Sequence, residues 1–143
     1  MPYANKQDMI ERFGEAELIE NSNKGQAATS IKDSSLNLAL SDADAEINAY
    51  LAVRYVLPLA NPPAILVNLA CQIARYNLFG PAVTDEVRDR YRNAAAFLKN
   101  VSDGKATLGP AADSTVPPAS GDSPKFSKPD PVFTKNSLKD YLG

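Results

Sequence analysis

Asp42, Asp44 and Glu46 stand at alternate positions in "DADAE" (42–46). Three carboxylates this close raise two chemistries, cation binding and paired acid–base work. The spacing favours neither. On a helix Asp42 and Glu46 share one face, four residues apart, while Asp44 points elsewhere. A calcium loop of the EF-hand type needs glycine at its sixth place, where this chain has Ile47. A solvated acidic face, or one that meets a basic partner, accounts for the cluster better.

"RDRYR" (88–92) is the basic counterpart, with Arg88, Arg90 and Arg92 around an aromatic. Basic side chains with an interleaved aromatic are what a nucleic-acid contact uses. Asp85, Glu86 and Asp89 interleave with them, so little net positive field remains. Solvated pairing or a subunit interface is therefore preferred for these arginines. A small helical DNA-binding or regulatory module is the alternative, and it predicts salt-dependent affinity for duplex DNA.

Other reactive chemistry is sparse. The chain has no histidine, so it lacks the commonest general base and metal ligand. Its one cysteine, Cys71, can form neither an internal disulfide nor a thiolate metal cage. Cys71 falls in the most apolar stretch and reads as a packed, inert thiol. No glycine-rich phosphate loop occurs. The expectation is a protein with no catalytic residues, no cofactor and no metal, and not an enzyme.

These side chains must be carried by a scaffold, and the totals bound it. A chain of 143 residues makes one domain, with room for an extension. The 44% hydrophobic share is that of a globular chain, which argues against wholesale disorder. A formal charge of −2 gives no general attraction to nucleic acid or membrane. No run is apolar enough to span a bilayer, the N-terminus turns polar too soon for a secretory signal, and one cysteine suits a reducing compartment.

Periodicity predicts an all-α fold of about four helices. "NKQDMIERFG" reads as the first, with Asn5 and Asp8 as a capping box and Gly14 as its stop. "EAELIE" (15–20) reads as one further acidic turn, and 21–30 as a loop. The next helix repeats Leu36, Leu40, Ala43, Ile47, Tyr50, Leu51 and Arg54 at three- and four-residue steps, capped by Asp33 or Ser34. Pro62 and Pro63 suit the first turn of a third helix, "PPAILVNLACQIARYNLFG", apolar except for a strip of Asn68, Gln72 and Arg75. So thin a polar strip makes it the central helix. Thr84 caps the last helix, whose stripe is Val87, Tyr91, Ala94, Leu98 and Val101, with Gly104 closing it.

The chain then divides into a helical body (1–109), a linker (110–131) and a terminal segment (132–143). The stretch from Pro110 to Pro131 holds six of the 11 prolines among Ser, Asp and Ala, the composition of an extended, mobile linker. Beyond it, Val132, Phe133, Leu138, Tyr141 and Leu142 return to apolar chemistry. Exposed apolar residues on a tether call for a groove, on the same chain or on a partner. These five are the candidate docking residues.

Particular strings add a resemblance. "YANKQDMIERFGEAELI", "DADAEINAYLAVRYVLPL" and "PPAILVNLACQIARYNLFG", in that order, resemble the head–tail connector (adaptor) family of Mu-like phages and prophages. The ending "PVFTKNSLKDYLG" is similar too. The resemblance covers about residues 3–109 and 129–142; the linker has no matching pattern. It implies an all-helical virion protein at the neck, assembled in the bacterial host cytoplasm. Such subunits form a ring, commonly a dodecamer, below the portal protein, and join it to a stopper or other tail-side protein. DNA passes through the ring without specific binding. On this reading the terminal segment is an arm that clasps the portal or a sister subunit.

Overall fold

Asn5 starts the first helix as a reciprocal cap. Its side chain accepts from the Asp8 N–H at 2.9 Å, and the Asp8 carboxylate accepts from the Asn5 N–H at 2.9 Å. Two otherwise orphaned donors are satisfied in one turn. In this computed structural model, which describes residues 2–109, five α-helices follow one another. They are α1 (Lys6–Phe13), α2 (Glu15–Ser22), α3 (Asp33–Leu51), α4 (Ala64–Phe79) and α5 (Asp85–Ser102), with a 3₁₀ turn at Gly80–Ala82. No strand occurs among the described residues. The linker and the terminal segment with Val132, Phe133, Leu138, Tyr141 and Leu142 lie outside them.

The all-α expectation holds, and four local readings change. "EAELIE" is no single turn; α2 is a helix in its own right, running through Ser22 into the stretch read as loop. Ser22 is fully buried, and its hydroxyl accepts from the Lys32 N–H at 2.9 Å, so the 23–32 loop is fastened at both ends. Neither Asp33 nor Ser34 caps α3; Lys32 holds that position, without a side-chain bond. The Asp33 carboxylate instead pairs with Lys6 at 2.8 Å. Pro63 is the N-cap of α4 and Pro62 precedes it, so both prolines stand just outside the first turn. Arg54 lies beyond the end of α3 and is exposed, outside the apolar stripe.

α4 is the central helix, packed against α1, α2, α3 and α5. Leu66, Leu69, Ala70, Cys71, Ile73, Ala74 and Leu78 are all buried on it. Each fully buried Leu or Ile contributes about 1.5–3 kcal/mol by leaving water. Burial pushes the Cys71 thiol up to about 11, which keeps it protonated at neutral pH. α3 supplies Leu36, Ala39, Leu40, Ala43, Ile47 and Leu51 to the same core.

The N-terminal segment is strapped across α3. The Tyr3 N–H donates to Asp44 at 3.0 Å, and the Tyr3 hydroxyl donates to Asn48. At the other end, the Leu108 N–H donates to the Tyr55 hydroxyl at 3.2 Å in a buried bond. α3 and the turn after it thus anchor both ends of the body.

Candidate interaction surface

The basic cluster sits on α5, whose N-terminus is set by Thr84, its hydroxyl accepting from the Val87 N–H at 3.3 Å. Val87, Ala94, Leu98 and Val101 turn inward, so the arginines are carried round the outer side. Arg88 donates to Asp85 at 2.7 Å, and Arg90 to Glu86 at 3.1 Å. Arg92 is exposed. Pairs this open to solvent contribute little stability, typically well under 1 kcal/mol. They also cancel two of the three positive charges locally, as expected from the interleaved acids.

Tyr91, the aromatic of the cluster, does not face a partner. Its ring stacks on Tyr76 of α4 with centroids 4.1 Å apart and planes 11° from parallel. Its hydroxyl donates to Glu46 of α3 at 2.9 Å. One residue of "DADAE" is therefore committed to the α3–α5 joint, and Asp44 to the strap; Asp42 is left exposed. No group of three or more His, Cys, Asp or Glu that could hold a metal ion occurs among the described residues.

Burial and the Glu46 carboxylate together push the Tyr91 hydroxyl up to about 12. Because the folded state holds this proton more tightly than the unfolded chain, the contribution is complete below about pH 10, the unfolded tyrosine value, and is lost towards pH 12. Stability should therefore fall as pH rises through that window. Urea unfolding at stepped alkaline pH checks it, with Tyr91→Phe expected to flatten the fall; an equally steep fall in the variant would remove Tyr91 as its source.

Sequence reading alone does not find the groove between α4 and α5. The two helices form an antiparallel hairpin, and Ile65, Leu69, Ala94 and Phe97 line an open cleft of about 290 Å³ between them. Asn68, Gln72, Asn93 and Arg90 complete its polar rim and floor. Gln72 is only 9% exposed; its Nε2 donates to Asn68 at 3.3 Å, while its Oε1 has no hydrogen-bond partner among the described residues. Asn68 and Gln72 of the polar strip that the sequence displays on α4 thus line this cleft, while Arg75, the third member, turns to Glu17 of α2. Elsewhere Leu38, Val53 and Val56 are more than half exposed. Outward apolar residues of this kind are surface that a partner covers, or are scattered single exposures.

Among the described residues, no helix is long and apolar enough to cross a membrane. Residues 3–125 match the profile of the family described as Bacteriophage Mu, Gp36. The chain is 37% identical over 107 residues to the Mu-like prophage FluMu protein gp36 of Haemophilus influenzae, covering 75% of each chain. It is 30% identical over 135 residues to Gene product J of Escherichia phage Mu, covering 94% of this chain and 96% of that protein. A match over most of the length, through every helix described above, makes this chain a member of the Bacteriophage Mu Gp36 family.

Proposed function

We propose that the chain is a phage virion structural protein, a head–tail connector subunit that joins the portal to the tail side. The reading is carried by the near full-length similarity to a protein of phage Mu, together with the four strings that resemble connector adaptors. The folded body is consistent with it. Outward Leu38, Val53 and Val56 give subunits apolar surface to share in a ring. The self-paired arginines Arg88 and Arg90 leave a face suited to subunit contact and poorly suited to gripping passing DNA. The scaffold has no reaction to run, and the division into body (1–109), linker (110–131) and arm (132–143) belongs to the same proposal.

Its partners are the portal, sister subunits and a stopper or tail-side protein, with the virion neck as its site. The decisive experiment is co-purification with the portal protein encoded near its gene, comparing the full chain with one ending at Asp130. Binding by the full chain alone makes the arm the portal-docking element. Equal binding assigns that joint to the helical body. No binding by either, or normal tail joining in virions that lack the protein, overturns the reading.

A further inference from the structure

We propose that the turn after α3 in one copy docks into a cleft beside Leu38 of the next, so that the chain associates head to tail with itself. The inference rests on the ring reading above and deepens it by naming the two faces that meet. Among the described residues, the large apolar side chains that stand out to solvent are Leu38, Val53, Val56 and Ile65. They fall at two places. Val53 and Val56 lie in the connection from α3 to α4, and Ile65 opens α4 beside them. Leu38 stands on the first half of α3. Outward apolar groups gathered in this way mark a contact surface better than scattered ones do.

The two places match in size. Leu38, Ala39 and Leu78 line a cleft of about 130 Å³ between α3 and the end of α4. A closed cavity of roughly 150 Å³ accepts a benzene ring. The cleft therefore takes one or two side chains of valine size and excludes a whole helix. Val53 and Val56 are 60% and 52% exposed on their turn, which makes them such a guest. One copy does not fill its own cleft, because from Leu38 to Leu51 α3 rises about 20 Å before the turn begins.

They also match in charge, and this singles out a second copy as the occupant. Arg54 stands between the two valines and is the one charged residue of the connection, 52–63. Its guanidinium lies over Gly104, in space that a side chain there would fill, which keeps the cation at this end. Asp42, one turn on from Leu38, borders the cleft. Both are exposed, and neither has an ion-pair partner among the described residues. Lys24 borders the cleft as well, so the guest must enter with Arg54 on the Asp42 side. Charge pairing of this kind sets partner and register more than strength. A contact between two different patches is heterologous, and repeated it closes a ring or extends a filament.

The test is sedimentation velocity of the full chain over a concentration series that reaches the high micromolar range, since a contact this small is transient. The parent should associate. Asp42→Arg and Arg54→Asp, each with its helical circular dichroism intact, should need about ten times the concentration or more. An equimolar mixture of the two variants should associate as the parent does, because the reversed charges again face their opposites. Mixing does not repair a variant that has merely lost its fold. A parent that stays monomeric throughout, variants that associate like the parent, or a mixture that stays monomeric would each overturn the proposal. Portal binding by a parent that does not self-associate would leave the connector reading standing, so the two fail separately.

Discussion

Arg75→Ala should lower stability by about 2–3 kcal/mol, seen as a fall of about 10–15 °C in Tm for a body of this size. Arg75 makes a two-point pair with Glu17, Nε to Oε2 at 2.8 Å and Nη2 to Oε1 at 2.9 Å. The side chains are only 13% and 24% exposed, so removing the cation leaves a largely desolvated carboxylate behind. The guanidinium also lies 4.5 Å from the Phe13 ring centroid and 5.8 Å from that of Phe79. It therefore ties α1, α2 and α4 at one point, and these contacts are lost with it. Arg75→Lys should recover only part of the loss, because an ammonium matches neither the fork nor the ring face. Replacing both partners at once with apolar residues of similar volume, Glu17→Leu together with Arg75→Met, should restore most of it. Thermal unfolding by circular dichroism decides: an Arg75→Ala chain within about 0.5 kcal/mol of the parent would show the pair to be idle.

Leu98→Ala should cost about 3 kcal/mol or more by a different route. Leu98 is fully buried on α5, in the core shared with α3 and α4. Truncation removes transfer free energy and leaves a cavity that close-packed helices fill only in part, which places Leu→Ala in the range of about 2–5 kcal/mol. Against a total stability of about 5–15 kcal/mol for an ordinary domain, that leaves a small margin. Leu38→Ala is the matched control, because the same side chain is 63% exposed there. It should change stability by no more than about 0.5 kcal/mol. Urea unfolding of the pair separates burial from helix propensity; equal losses at both positions would contradict the core assigned to α3, α4 and α5.

The helices that the sequence displays best are those whose determinants are local. The Asn5–Asp8 box, the Thr84 cap and the stripe from Val87 to Val101 need no knowledge of the rest of the chain. The features it hides depend on distant partners. Glu17 pairs with Arg75 across 58 positions and holds α2 against α4, which no eight-residue window contains. Asp33 is an apt cap by type, but Lys6 claims its carboxylate. Tyr91 reads both as the aromatic of a basic cluster and as a member of the inward stripe of α5, and the stripe reading holds. Its place against Tyr76 and Glu46 emerges only once α3 and α4 are in position. Gln72 is visible as part of a polar strip, but that it and Asn68 line a cleft follows from the approach of α5.

The two anchors, on α3 and on the turn after it, have a geometric consequence. Tyr3 is fixed at Asn48, and Leu108 at Tyr55, seven positions further along the same run of chain. The entrance and exit of the body are therefore both tied to one stretch of chain, residues 48–55. The path of the backbone ends on the same run that holds its beginning. A linker could join the two ends, and the chain could be reopened in the exposed 24–30 loop without cutting any helix. The order in which the helices are strung is thus separable from the way they pack.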